Sequence, residues 1–252
     1  MKASSDLRTL RNVVVVCAVM LAVTVGIAAV SMGERGGYMV GDAPDSTGKK
    51  VPVVTRSILM PGYSLEELAV RSDLIVSGTI ASRADSVLIE PSDGGEPLFF
   101  TDVSVAVDDV FLDRTSLLTA GADELVVRTE GGEGEYVEME VEGAPTFDEG
   151  SRYLLFLYRL NDGAYYNAVG DHCYVVGVST GAWEAARDGS FASPCWQSDG
   201  RDHVTAADVR AVVSAISAEP RSVSPTGSVP FARVLTGDER RAYEQGVFAA
   251  AN

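Results

Sequence analysis

The chain is poor in the residues from which catalytic and redox sites are usually built. Among 252 residues there are three cysteines and two histidines, His172 and His203. No serine occupies a G-x-S-x-G motif, and no loop has the D-x-D-x-D-G spacing of a calcium-binding EF-hand. The glycine-rich stretch 131–134 lacks the helix and the Lys-Ser/Thr pair of a phosphate-binding loop, and a hairpin turn explains it. We therefore predict no catalytic residue, no metal site and no cofactor.

Basic residues are also scarce. The chain has 20 Lys and Arg against 36 Asp and Glu, for a formal net charge of −16. Three of the basic residues, Lys2, Arg8 and Arg11, lie within the first 33 positions, so the remainder is more acidic still. Nucleic acids and anionic lipids are bound by basic surfaces. This composition therefore predicts a well-solvated acidic domain with no nucleic-acid partner.

One long apolar run stands out against this background. Val13 to Val30 contains no charged residue and has the length of a helix of about 27 Å, close to the bilayer core of about 30 Å. The basic residues before it keep the amino end in the cytoplasm. The sequence predicts a cytoplasmic tail (1–12), a transmembrane helix or signal anchor (13–32) and an extracytoplasmic remainder, with the membrane as a partner.

A cleaved secretory signal is the alternative for this run. Residues 29–31 (Ala-Val-Ser) form a small-x-small site, with cleavage before Met32. The apolar run is longer than the usual hydrophobic region of a signal peptide, about 7–15 residues, which favours the anchor. Secretion after signal cleavage stays open at this point.

Composition divides the rest of the chain into three parts. Residues 33–56 are predicted to be a juxtamembrane linker, because turn formers dominate 41–50. Residues 57–218 are predicted to form an extracytoplasmic β-barrel domain with a terminal helix. Residues 219–252 are predicted to be a proline-containing linker and a C-terminal helix. Ser64 and Glu67 match a capping box that opens a helix over 65–71, and Thr205 is placed to cap a helix that runs to Ser217.

Most of the predicted domain has the pattern of β-strands. The apolar or alternating segments are 74–80, 99–112, 124–129, 136–142 and 153–158, followed by shorter ones near 165–169, 174–178, 182–186 and 190–196. Gly78 inside the first segment predicts a bulge or bend. Many strands separated by short turns, with few helices, predict a mainly β fold built on a small antiparallel, OB-like barrel.

The segment 136–142 alternates most regularly. The buried face is predicted to carry Val137, Met139 and Val141. The solvent face is predicted to carry Glu138, Glu140 and Glu142. These three glutamates are also weak candidates for a calcium site, since Ca²⁺ prefers oxygen ligands. A solvated strand face is the favoured interpretation.

Two of the cysteines are predicted to form a disulfide. Cys17 lies in the apolar run, whereas Cys173 and Cys195 lie in the predicted extracytoplasmic part, where an even pair is typical of a disulfide. A Cys–His nucleophile within the run 171–173 (Asp-His-Cys) is not expected. Adjacent residues on a strand point to opposite faces, and a bonded thiol is no nucleophile.

The run from Val141 to Leu157, VEGAPTFDEGSRYLLFL, resembles a family of exported or membrane-anchored bacterial proteins that carries no assigned activity. In that family it follows a strand such as 72–79 and a second strand such as 101–112. The resemblance covers about residues 64–190. More distantly, this order is similar to netrin-like domains and tissue inhibitors of metalloproteinases, which implies an OB-type barrel. Those inhibitors chelate zinc through an amino-terminal cysteine, and this chain has none at Met1 or Met32.

Three hypotheses about function follow. The first is a non-catalytic, membrane-anchored binding or interaction module whose partner is an extracytoplasmic protein or a cell-wall ligand. The second is a cell-envelope hydrolase that uses carboxylates, which requires two convergent acids with separated pKa values. The third is a protease-inhibitor-like partner of an exported protease, which rests on fold analogy. We favour the first, because no catalytic constellation is present.

Overall fold

The computed structural model describes residues 39–44, 50–57, 62–118, 123–159, 172–193, 197–216 and 232–251, all within the compact unit Tyr38–Asn252. These residues are mainly β. The helices are α1 (Leu65–Arg71), α2 (Ala206–Ser214) and α3 (Gly237–Ala251). The strands are β1 (Met39–Pro44), β2 (Lys50–Ser57), β3 (Leu74–Arg83), β4 (Val87–Glu90), β5 (Leu98–Asp113), β6 (Glu124–Glu130), β7 (Gly132–Glu133), β8 (Glu138–Glu142), β9 (Arg152–Tyr158), β10 (Cys173–Val175), β11 (Ala182–Ala185), β12 (Phe191–Ala192), β13 (His203–Val204) and β14 (Arg233–Leu235).

Five strands close into a barrel. β3 pairs antiparallel with β5, and β5 pairs antiparallel with β6. β10 then lies parallel to β6 and antiparallel to β9, and β9 returns to pair with β3. Numbered one to five along the chain, the barrel strands therefore follow the cyclic order 1-2-3-5-4-1. The predicted small closed barrel is confirmed.

Alternating apolar side chains fill the barrel. Val103, Val127, Leu155 and Cys173 belong to this interior cluster. The strand pairing of β3 with β5 shifts register next to Gly78, where a Cβ atom would lie 2.5 Å from the carbonyl oxygen of Ala106. The close approach of the two backbones requires glycine, and the shift of register agrees with the bulge or bend predicted at this residue.

Two helices cover the outer side of β9. Leu65 and Leu68 of α1 and Val209 of α2 share a second buried cluster with Phe156 and Trp183. The capping box that opens α1 has the predicted geometry. The Glu67 amide donates to the Ser64 hydroxyl at 3.1 Å, and the Ser64 amide donates to the Glu67 carboxylate at 2.8 Å. Thr205 caps α2 in the same way through Asp208.

A second sheet, in the order β1-β2-β8-β7, packs beside the start of β5. β1 and all of β2 except its last residue, Ser57, lie in the segment 33–56 that composition assigns to a linker. Turn formers are concentrated in 41–50, whereas Val51, Val53 and Val54 are buried, and β2 runs parallel to β8. The pairing joins Ser57 to Glu142, 85 residues apart, so the local composition of 33–56 does not reveal it.

Several predictions concern residues outside the described ranges. The cytoplasmic tail (1–12), the membrane helix (13–32), a strand near 165–169 and most of the second linker are among them. In the described part of the chain, no helix combines the length and the apolarity needed to cross a membrane. Cys173 is buried in the barrel, and Cys195 lies outside the described ranges. The disulfide and the anchor stay predictions.

Candidate functional site

A pocket of about 380 Å³ opens at the end of the barrel where β5 begins and β6 ends. We call it the mouth pocket. Its lining residues are Thr55, Arg83, Thr101, Val103, Thr129, Glu130, Gly131, Gly132, Glu133, the whole of β8, and residues 144–147. Such a volume suits a small ligand or one inserted side chain, and barrel mouths are common ligand sites.

Threonines and the barrel core form the floor of the mouth pocket. Thr101 and Thr129 face each other across the β5–β6 ladder, and the Thr129 hydroxyl donates to the carbonyl oxygen of Thr101 at 3.3 Å. Thr101 Oγ1 in turn donates to the carbonyl oxygen of Gly131 at 2.9 Å. Phe147, buried in the barrel interior, closes the floor on the other side. These hydrogen bonds fix the position of the floor hydroxyls.

The turn from β6 into β7 brings the backbone against Ser86. The Ser86 hydroxyl hydrogen-bonds Thr101 Oγ1 at 2.9 Å and accepts from the Glu133 amide at 3.0 Å. A side chain at Gly132 would collide with Ser86, so this turn requires glycine. The glycine-rich stretch forms a β7–β8 hairpin, as predicted from the sequence.

Strand β8 supplies one wall. The predicted alternation is confirmed for Met139, which is buried, and for Glu140 and Glu142, which are exposed. Glu138 and Val141 differ from the prediction because both are half-buried. Glu138 lies opposite Glu133 in the β7–β8 ladder and turns partly into the mouth pocket rather than fully into solvent.

Two carboxyl groups of the mouth pocket have perturbed pKa values. Burial, followed by repulsion from Glu133 and Glu140, raises the pKa of Glu138 against the attraction of Arg83. Burial also raises the pKa of Glu130, although Arg56 opposes the shift. One oxygen of Glu130, Oε2, is buried and has no hydrogen-bond partner among the described residues. Glu138 therefore places a poorly compensated carboxylate in the mouth pocket, whereas the Glu130 carboxyl group is buried on the Arg128 face of β6, where it influences Tyr158.

A second polar cluster lies on the outer face of the barrel. Asp102 and Arg128 are opposite each other on β5 and β6 and form two hydrogen bonds of 2.7 and 2.8 Å. Burial opposes the charge of Arg128, but the hydrogen bonds and charge of Asp102 outweigh it and raise the pKa of the guanidinium. Because Arg128 is neutralised in this way, the cluster offers a ligand little free charge.

Aromatic rings surround this ion pair. Tyr174 stacks on Tyr158 with a centroid distance of 5.7 Å, and His172 meets the edge of Tyr174 at 5.2 Å. His172 Nε2 lies 3.4 Å from Arg128. Burial raises the pKa of Tyr158 and of Tyr174 to about 12, with Glu130 adding to the shift of Tyr158. Both phenols therefore stay neutral at physiological pH.

Among the residues that the structure describes, neither histidine is placed in a catalytic pair with a cysteine or serine. Cys173 belongs to the barrel interior, whereas His172 lies on the outer face beside Arg128, as strand alternation requires. His203, which is exposed, lies 3.5 Å from the Ser190 hydroxyl, a contact that the sequence pattern does not predict. That hydroxyl donates to Asp188 at 2.6 Å within a local turn, so its proton is not directed at the imidazole.

No metal-binding group emerges from the described part of the chain: no three or more His, Cys, Asp or Glu side chains there are placed to hold an ion. The structure brings the weak calcium candidates Glu138, Glu140 and Glu142 to the mouth pocket together with Glu130. Glu130 belongs to the acidic segment 130–149 of the sequence, but its burial is not predicted, because it depends on elements that are distant in sequence.

Comparison with known proteins finds no matching protein family, no matching curated protein and no matching solved structure. The chemistry of the mouth pocket and the topology of the barrel therefore carry the functional argument.

Proposed function

We propose that this protein is a non-catalytic, membrane-anchored, extracytoplasmic binding module built on an OB-type barrel. The apolar run 13–30 and the basic residues before it support the anchor and the orientation. The strand order 1-2-3-5-4-1, with the third and fifth strands parallel, supports the assignment to the OB type. OB-type barrels bind ligands through their strand faces and loops, and the site on a given barrel determines which ligand it takes.

The mouth pocket carries the proposal. Five glutamates line it against one arginine, Arg83. A ligand group that donates hydrogen bonds and bears positive charge complements these carboxylates and the threonine hydroxyls of the floor. The proposed ligand is an ammonium or guanidinium group presented by an extracytoplasmic protein or a cell-wall component.

A carboxylate hydrolase has less support. General acid–base catalysis with two carboxyl groups requires environments that push their pKa values apart. The two mouth-pocket carboxyls with shifted pKa values, Glu130 and Glu138, are both shifted upward by burial. This arrangement favours the binding of a cation over the division of roles between an acid and a base.

NMR titration of residues 33–252, the proposed exported part, tests the proposal. The probe is the peptide acetyl-Gly-Lys-Gly-amide, and its control is the same peptide acetylated on the lysine Nε. We expect the free-amine peptide to shift the amide signals of Gly131 and Gly132, more weakly at high salt. The acetylated peptide should leave them unchanged.

Two variants of equal charge change sharpen this test. Glu138→Gln removes a carboxylate from the mouth pocket, and Glu184→Gln removes an exposed one on β11 that does not line it. We expect Glu138→Gln to weaken peptide binding several-fold and Glu184→Gln to leave it unchanged. Equal effects of the two variants, or equal binding of the two peptides, would reject the mouth pocket as a cation site.

A further inference from the structure

The C-terminal segment, residues 232–251, is attached to the residues that shape the mouth pocket. β14 pairs antiparallel with β4, and Leu235 is buried in the cluster that contains Phe99. From α3, the Tyr243 hydroxyl donates to the carbonyl oxygen of Pro97 at 3.0 Å. The segment thus lies against the strand that leads into the floor of the mouth pocket.

Glu244 of α3 is the most deeply buried charged side chain of this contact, with 1% exposure. Its carboxylate accepts from Arg240 Nε at 2.6 Å and from the Tyr136 amide at 3.0 Å. A Cβ atom at Gly134 would lie 2.6 Å from this carboxyl group. The hairpin that leads into β8 therefore has the shape and the donor needed to receive Glu244.

Arg240 extends the contact to the mouth pocket itself. Its guanidinium donates to the carbonyl oxygens of Ser86 at 2.7 Å and Glu133 at 3.1 Å. The Ser86 hydroxyl hydrogen-bonds Thr101, and both Thr101 and Glu133 line the mouth pocket. A continuous set of hydrogen bonds therefore runs from α3 to the floor and the turn of the mouth pocket.

We propose that docking of the C-terminal segment positions the wall of the mouth pocket, and that docking and ligand binding are coupled. This inference rests on the proposed function of the mouth pocket. Arg240 and Glu244 are paired within α3 and move with the helix, so undocking breaks their hydrogen bonds to the Tyr136 amide and to the carbonyl oxygens of Ser86 and Glu133 together. A ligand that needs the docked arrangement then strengthens docking by the same factor by which docking strengthens its binding.

Hydrogen exchange of the exported part measures the coupling without a ligand. The reporter is the Gly131 amide, which donates to the carbonyl oxygen of Phe99 at 2.8 Å. Gly134→Ala displaces the Glu244 carboxylate, and Arg240→Ala removes its partner. We expect each to accelerate exchange of the Gly131 amide by about tenfold or more through local opening. The control Asp238→Asn, whose side chain is 99% exposed, should match the unchanged protein.

Two results would overturn the coupling. In the first, the α3 amides exchange faster in both variants while the Gly131 amide does not, which makes the segment a packed appendage. In the second, hydrogen exchange of barrel amides such as those of Val127 and Leu155 accelerates as much as that of the Gly131 amide, which indicates general destabilisation of the domain. If only one variant accelerates exchange of the Gly131 amide, the Arg240–Glu244 ion pair is not the coupling element and the proposal fails.

The same measurements in the presence of the free-amine peptide distinguish a failure of this proposal from a failure of the proposed function. If the free-amine peptide binds, it should slow exchange of the Tyr136 amide, and Arg240→Ala should weaken its binding at least several-fold. Binding without either effect would overturn the coupling and leave the cation site standing. Failure of the peptide to bind the unchanged protein would reject the cation site, while the ligand-free exchange result would still decide whether α3 positions the wall.

Discussion

Two residues in and next to β8 differ in their environment, because one is packed in the core and the other is solvated. Val137, just before the strand, is 2% exposed, while Glu140 on the opposite face is exposed. The two positions are three residues apart, so substitutions at both test the alternation within one short segment.

Val137→Asp should destabilise the domain strongly, whereas Glu140→Gln should be nearly silent. The aspartate loses about 1.5–3 kcal/mol of apolar burial and adds an unpaired buried carboxylate that costs several kcal/mol. The glutamine at an exposed position should change the free energy of unfolding by no more than about 0.5 kcal/mol. Urea denaturation measures both. Similar losses for the two variants would show that β8 has another register.

Glu130 predicts a pH dependence of stability. Its folded-state pKa is raised above the ordinary 4.5 by burial, so the folded protein binds this proton more tightly than the unfolded chain. Stability from this group is therefore greatest below pH 4.5 and is lost as the pH rises through the folded-state pKa.

Glu130→Gln should accordingly raise the melting temperature at pH 7, and the difference should vanish near pH 4. Each kcal/mol regained corresponds to about 2–4 °C for a domain of this size. Calorimetry from pH 4 to 8 measures the difference, with Glu184→Gln as the control of equal charge change. A difference of the opposite sign, or one independent of pH, would contradict burial as the cause.

At the scale of elements, local patterns predict local structure. The alternation and apolar runs locate β3, β5, β6, β8 and β9 in their observed places, and capping residues locate the starts of α1 and α2. β4 and β14 are missed because both are short: β4 pairs with β5 and β14, and β14 pairs with β4. Their contact joins Glu90 to Arg233, 143 residues apart.

The mouth pocket illustrates the same limit. Periodicity predicts which face of β8 carries Glu138 and Glu140. It does not predict that Thr101, Glu130 and Phe147 meet them, because closure of the barrel brings these residues together from three other parts of the chain. Candidate residues are therefore predictable one strand at a time, whereas the pocket they form is not.

The predicted disulfide joins two cysteines that are 22 residues apart along the chain. Cys173 begins β10, and Cys195 follows β12 by three residues. Mass spectrometry of a non-reduced digest should find the two peptides joined, and replacing both cysteines should cost about 2–5 kcal/mol. The protein unfolded without reductant should not react with a maleimide at either cysteine. Labelling of both would reject the bond.

At the scale of the whole molecule, net charge and the mouth pocket act in the same direction. A formal charge of −16 creates a negative potential around the domain, and the mouth pocket places glutamate carboxylates in a concave site. Concave sites of one charge sign focus the field and accelerate the arrival of oppositely charged ligands. The acidic composition therefore supports the cationic ligand that the mouth pocket favours.

The predicted membrane topology determines on which side of the membrane the domain encounters such a ligand. Because Lys2, Arg8 and Arg11 precede the apolar run, protease added outside intact cells should digest residues 57–252 and leave a short membrane-bound fragment that contains residues 1–32. A tag placed after residue 252 should disappear, while a cytoplasmic control protein stays intact. Labelling of the mature amino terminus then separates the anchor from secretion. A chain that starts at Met32 would establish a cleaved signal, and protection of residues 57–252 in intact cells would reject the outward orientation, because a cytoplasmic domain is cleaved only after the cells are opened.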